Sequence, residues 1–209
     1  MTRPEFFRFH NGEKAVLPFS QAEYDTRLMG LRAIMDGNGI EAVVLTSMHN
    51  VAYYSGFLYC SFGRPYGLVV TASDAVVISA GIDAGQPWRR CACDGITYTD
   101  WQRDNFWRAV VHVAGAGCVV GVEGDHLTMV QQGKLVEFMQ PKAQIDIAGH
   151  TMRQRMVKSQ AERDLIRAGA QVADIGGFAI RDAIRVGTRE IDVAMAGRDA
   201  MELEIAKRF

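Results

Sequence analysis

Residues 58–66 read Leu58-Tyr59-Cys60-Ser61-Phe62-Gly63-Arg64-Pro65-Tyr66 and set one fixed cation among aromatic side chains on a loop punctuated by glycine and proline. Arginine keeps its charge at any physiological pH, and its planar fork can hold a carboxylate through two parallel hydrogen bonds. With Phe62 and Tyr66 excluding water, Arg64 is a candidate clamp for a small anion. The competing reading is an ordinary surface arginine beside a hairpin. Arg64 transfers no proton, so the block binds and does not react. Nucleophilic chemistry would need Ser61 or Cys60 beside a base, and no histidine lies near Ser61 in sequence; Cys60 reads as a buried thiol.

Two further groups of side chains invite a chemical reading. Glu123, Asp125 and His126 follow an apolar run, where sites of α/β proteins often form, and with His49 they suggest an acid/base or metal cluster. Set against that, Asp125 suits a helix cap and His126 the surface. Cys91 and Cys93 make a tight C-x-C pair, but zinc ribbons use two C-x2-C pairs, and His49, His112 and His126 are scattered. With Cys60 and Cys118 they are expected as reduced thiols, and neither a metal nor another cofactor is expected.

The chain has 209 residues, 48% of them hydrophobic, which is enough for a substantial core and for one domain or one and part of another. Lys and Arg total 23 against 24 for Asp and Glu, and the net charge of −1 offers no field for nucleic acid or an anionic membrane. The first ten residues carry charges where a signal peptide needs an apolar core, and no stretch approaches the roughly 20 apolar residues of a membrane span. A soluble, cytoplasmic protein is expected.

The elements that must position Arg64 follow from local pattern. Ser20-Gln21-Ala22-Glu23 has the form of a capping box, and Tyr24, Leu28, Leu31 and Met35 then recur at helical spacing until Asp36-Gly37-Asn38-Gly39 stops the helix. Ala42-Val43-Val44-Leu45 reads as a central strand. Residues 67–71 and 75–79 are two more strands, joined by the hairpin loop Ala72-Ser73-Asp74. A helix capped by Asp104 begins near Asn105 and leads through Ala114-Gly115-Ala116-Gly117 to a strand over 118–122; another helix over 127–139 leads through Pro141 to a strand over 144–147. Phosphate-binding glycine loops follow a strand and open a helix, whereas these glycines precede a strand, so they mark a connection. The fold class is α/β, a mixed sheet layered with helices.

From His150 the character changes. Ser159-Gln160-Ala161-Glu162 is a second capping box, opening a long helix to about Val186 with a stripe through Leu165, Gly169, Val172, Gly176, Ala179 and Ala183. Glycine inside a helix costs about 1 kcal/mol relative to alanine, so Gly169, Gly176 and Gly177 imply close approach of another backbone. Gly187 is placed to end the helix and Thr188 to cap the next, whose stripe runs through Ile191, Ala194, Met201 and Ile205. Two such helices cannot bury both apolar faces alone.

The block 58–66, together with Gly81-Ile82-Asp83-Ala84-Gly85-Gln86-Pro87-Trp88-Arg89-Arg90 and Thr97-Tyr98-Thr99-Asp100-Trp101-Gln102-Arg103-Asp104-Asn105, resembles the creatinases, bacterial creatine amidinohydrolases. The run from Met156 to Glu162, with Ile166-Arg167-Ala168-Gly169-Ala170 and Asp174-Ile175-Gly176-Gly177, is similar to the entry of creatinases, prolidases and X-Pro aminopeptidases into their C-terminal pita-bread domain. The resemblance implies a creatinase/prolidase-type N-terminal domain over residues 1–156 and, over residues 157–209, the first two helices of an α+β pita-bread domain that is incomplete. It implies hydrolysis of creatine to sarcosine and urea without a metal. The catalytic histidine and carboxylates would lie beyond Phe209, so this chain would be inactive alone. It assigns Phe62 and Arg64 to the substrate carboxylate, reaching across a homodimer interface into the partner's active site. Tyr66, Trp88, Arg89, Arg90 and Trp101 are then read as support for that loop or as interface residues. A non-catalytic dimerisation module and the N-terminal domain of a prolidase-type metallopeptidase are the other readings.

Overall fold

The computed structural model describes residues 3–59 and 63–208, and Phe62, Cys60 and Ser61 fall outside the described residues. The chain divides into two compact units, one up to Met156 and one from Val157.

The first unit is built on a seven-stranded sheet in the order β1-β5-β4-β3-β2-β6-β7. Its strands are β1 (Phe6–Phe7), β2 (Ala42–Leu45), β3 (Gly67–Thr71), β4 (Ala75–Ala80), β5 (Asp94–Tyr98), β6 (Val119–Val122) and β7 (Ala143–Asp146). The sheet is mixed, as the alternation of helices with short apolar runs predicts: β2, β3 and β4 pair antiparallel, while β4–β5, β2–β6 and β6–β7 pair parallel. Strands β3 and β4 form the expected hairpin, in which the Asp74 carbonyl accepts from the Thr71 N–H and the Asp74 N–H donates to Thr71 Oγ1. All four residues of β2 and the first four of β3 are buried, so helices must cover both faces of the central sheet.

Those helices are α1 (Gln21–Asn38), α2 (Met48–Ser55), α3 (Gln86–Arg89), α4 (Asn105–Ala114), α5 (Met129–Met139) and α6 (Ala148–Met156). Tyr24, Leu28, Leu31 and Met35 are buried as their spacing predicts, and Gly39 ends α1 with φ 63°. Only half of the first capping box forms. Ser20 accepts from the Glu23 N–H, but the Glu23 carboxylate turns to Arg27, whose guanidinium is buried among Phe19, Tyr24 and Tyr53. Asp104 is not the side-chain cap of α4: it holds φ 56°, and its carboxylate takes the Lys134 ammonium at 2.8 Å. Helices α2 and α6 are elements that periodicity does not announce.

The second unit consists of α7 (Gln160–Ala183) and α8 (Glu190–Arg208). Its capping box is complete, with Ser159 accepting from the Glu162 N–H and Glu162 accepting from the Ser159 N–H. Helix α7 stops at Ala183, short of Val186, and Gly187 lies in the connection with φ 86°. Close approach accounts for one of the three glycines. A Cβ on Gly176 would meet Met201 at 2.6 Å, whereas Gly169 and Gly177 face open space. Gly197 is the counterpart on α8, where a Cβ would meet Ile180 at 2.5 Å.

Candidate functional site

Arg64 is set by the segment between α2 and β3. Gly56 ends α2 with φ 78°, and a Cβ there would come within 2.8 Å of the Tyr24 hydroxyl, so the chain can turn only with glycine. Gly63 holds φ 80°, and the chain enters β3 through Pro65 and Tyr66. Tyr98 donates to the Pro65 carbonyl at 2.9 Å, pinning the loop to β5.

Arg64 is half-buried and, among the described residues, makes no hydrogen bond or ion pair. It borders three recesses. One of about 350 Å³ is lined also by Phe57, Tyr59, Tyr66, Asp83, Gln86 and Arg90. A second, of about 240 Å³, lies between Thr46, Tyr59, Phe106, His126 and Gln131. A third, of about 260 Å³, is bounded by Arg3, Phe7, Thr99 and Trp101.

The walls are largely aromatic, with Asp83 on the first recess and His126 on the second as the groups able to move protons. Tyr66 is buried and stacks on Tyr59 with ring centroids 4.7 Å apart. Its hydroxyl donates to the Asp83 carboxylate, and burial followed by that bond pushes its pKa well above the ordinary phenol value. Burial, with the Glu123 charge adding to it, pushes Tyr59 up to about 12. Both phenols therefore stay neutral at physiological pH and act as walls and hydrogen-bond donors. A guanidinium between such walls, unpaired among the described residues, is equipped to capture an anion, and it supplies no acid or base.

The supporting residues divide. Arg90 lines the first recess and Trp101 the third, so both share concavities with Arg64. Trp88 and Arg89 serve the N-terminal arm: Trp88 stacks on His10 at 4.8 Å and lies under the Lys14 ammonium at 4.7 Å, while Arg89 donates to the Glu13 carbonyl. Phe62 lies outside the described residues.

Glu123 has a role that its sequence context does not reveal. Its carboxylate is buried and accepts from the Thr46 and Ser47 N–H groups, the Ser47 hydroxyl and, at 2.6 Å, the Asn50 amide. Asn50 also donates to Thr151 on α6. The Thr46 carbonyl in turn accepts from the Tyr59 hydroxyl, and Thr46 Oγ1 meets His126 Nδ1 at 3.0 Å. One carboxylate thus ties β2, α2 and β6 together, with α6 joined through Asn50, behind the wall of the Arg64 recesses. Glu123 and His126 do not form the acid/base or metal cluster weighed from sequence, and the cap of α5 is Thr128, not Asp125. Among the described residues no three His, Cys, Asp or Glu side chains converge as metal ligands.

The first unit is the fold of a known domain class. Residues 27–157 match the creatinase/prolidase N-terminal domain, and the chain belongs to that family. It is 46% identical over 204 residues to the creatinase of a Bacillus species, covering 96% of this chain and 50% of that protein, so the chain spans about half the length of this curated relative. Solved structures share the fold at lower identity. The prolidase from Pyrococcus horikoshii has a TM-score of 0.69 at 21% identity, over 85% of this chain and 48% of its own. The X-Pro aminopeptidase from Thermotoga maritima has a TM-score of 0.71 at 16% identity, over 85% and 49%.

Proposed function

We propose that the chain is the N-terminal part of a creatinase-type hydrolase, which converts creatine and water to sarcosine and urea, and that it supplies the loop that grips the substrate carboxylate. The observation that carries this reading is Arg64: a half-buried guanidinium with no ion-pair partner among the described residues, open to three recesses and backed by neutral tyrosines. The 46% identity to a creatinase supports creatine over the proline peptides suggested by the prolidase neighbours, whose likeness concerns the fold. Creatine carries a carboxylate and a guanidinium at opposite ends, and Arg64, with Phe62 two positions before it in sequence, matches the carboxylate end. Arg64, Tyr59 and Tyr66 offer no proton transfer near neutrality, and His126, on the second recess, is engaged with Thr46 Oγ1 at 3.0 Å; in this reading the bond-breaking groups belong to a C-terminal pita-bread domain that begins with α7 and α8. In a homodimer the loop serves the partner's active site. No helix of the described residues is long and apolar enough to cross a membrane. The cytoplasm is the location this reading assigns, from the charges in the first ten residues where a signal peptide needs an apolar core.

The test is urea release from creatine, measured for the chain alone and for the chain joined to a creatinase C-terminal half. The joined protein should be active and the chain alone inactive; urea release by the chain alone would overturn the division of labour. Arg64→Ala in the active protein should raise KM for creatine roughly 10- to 100-fold, the equivalent of losing about 1.5–3 kcal/mol of charge-assisted hydrogen bonding, with thermal stability unchanged. Unchanged KM would remove Arg64 from the site, and hydrolysis of X-Pro dipeptides in place of creatine would favour the peptidase reading.

A further inference from the structure

Away from the Arg64 recesses, the turn from α3 into β5 gathers two cysteines and a lysine. The Lys14 ammonium is anchored by the Cys91 and Cys93 carbonyls, each at 2.9 Å, and lies over the Trp88 ring. Held there, it sits 3.7 Å from Cys91 Sγ. The Cys91 thiol in turn donates to the Cys93 carbonyl at 3.1 Å and to the Trp88 carbonyl at 3.5 Å, with only Ala92 between the two cysteines. No disulfide joins them.

We propose that Cys91 and Cys93 form an oxidisable dithiol, primed by Lys14, that closes to a disulfide on exposure to a peroxide. The two sulfurs are differentiated as such a pair requires. A hydrogen bond from the Cys93 side chain, with the Lys14 charge adding to it, holds the Cys91 thiol below the ordinary value against the opposing effect of burial. The same bond and burial push Cys93 well above it. Cys91 is the nucleophile and Cys93 the protonated resolving thiol.

The chemistry balances with hydrogen peroxide as oxidant. The Cys91 thiolate attacks one peroxide oxygen, forming S–O as O–O breaks and hydroxide leaves. The Cys93 sulfur then attacks the Cys91 sulfenic acid, S–S forms, S–O breaks, and water departs with the Cys93 proton. The two sulfurs together lose two electrons and the peroxide gains them. Two residues apart along the chain, the Cα atoms are at most about 7 Å apart, near the upper end of the span a disulfide bridges, so ring closure requires the backbone at Ala92 to adjust.

Cys91 itself is only 1% exposed. It belongs to the hydrophobic core, and on the Lys14 side it meets the N-terminal arm, which is exposed around Lys14 and held by the Lys14 bonds, the Ala15 N–H to the Arg89 carbonyl and Arg89 to the Glu13 carbonyl. Local opening of that arm is the route by which peroxide would reach the sulfur. Ring closure would act on the Arg64 region, because the Ala92 N–H donates to Ser55 at the end of α2 and Arg90 lines the first recess.

The test is brief peroxide treatment of the chain, alkylation of the remaining thiols and peptide mapping by mass spectrometry. A Cys91–Cys93 disulfide, about 2 Da lighter than the dithiol, should form ahead of any oxidation at Cys118, whose thiol burial pushes up. Lys14→Gln should slow it on the order of tenfold, as the thiolate fraction falls, and Lys14→Arg should restore most of the rate. Cys93→Ser should stop the reaction at a Cys91 sulfenic acid that dimedone traps. Oxidation of Cys118 at an equal rate, an unchanged rate in Lys14→Gln, or alkylation of both Cys91 and Cys93 after treatment would each overturn the proposal.

Discussion

Strand β2 buries Ala42, Val43, Val44 and Leu45 completely, whereas α7 and α8 leave Ile166, Phe178, Ile191 and Leu203 each more than half exposed. The first unit spends its apolar residues on a continuous core that runs from α1 through all the central strands to α5. In the second, Val172, Gly176 and Gly197 are the buried positions among the described residues, the two glycines lying where the helices meet. The contrast separates two ways of being ordered. One unit is held by a closed interior; the other is held by local hydrogen bonding, a full capping box and one close crossing, with apolar faces suited to further burial.

Mutations should expose that contrast. The largest effect is expected from Glu123→Ala, which strands the buried Asn50 amide and the Thr46 and Ser47 N–H groups. A loss of about 3–5 kcal/mol in urea unfolding followed by Trp fluorescence is expected, since all three tryptophans lie in the first unit. A change below about 1 kcal/mol would show that the first unit does not depend on this carboxylate. Next comes Gly176→Leu, which drives a side chain into Met201 and should destabilise the α7–α8 pair by about 1–3 kcal/mol. Hydrogen exchange should then quicken in α7 and α8 while the sheet is unaffected. Gly169→Ala, with open space around it, should slow exchange in α7 instead, gaining up to about 1 kcal/mol. Smallest of all should be Phe178→Glu combined with Leu203→Glu, which should change the stability of the chain by no more than about 0.5 kcal/mol. A larger loss would mean these faces already have partners, and the contrast between the units would fail.

How much of this was legible depended on whether a residue's role is local. The runs at 42–45, 67–71 and 75–79 became strands because short, β-branched apolar segments have few other places to go. The Ser159 box formed in full because both halves lie within one helical turn. Ser20 gave only half a box because Arg27, a residue inside the helix, competed for Glu23. Asp104 resembled a cap in sequence, yet Lys134 thirty residues away claimed its carboxylate. Helix α2 was hidden because its stability comes from contacts of Asn50 and Tyr54 with partners about 73–101 residues distant. At the candidate site, the Arg64 block announced a cation among aromatics. The convergence of Tyr59, Asp83 and His126 around it is a product of topology, and no spacing rule could supply it.

The Glu123 clasp also bears on how the chain acquires its fold. Its donors begin at Thr46, its carboxylate arrives 77 residues later, and Thr151, which completes the network through Asn50, comes later still. A growing polypeptide would have exposed the apolar β2–β4 meander long before the network could close. Loop-closure entropy for such distant partners makes this a slow, late and cooperative event, whereas α7 and α8 meet through contacts close in sequence and should form quickly. The waiting time of the first unit, set by one carboxylate, is therefore the interval in which a nascent chain is most exposed to aggregation and most in need of protection.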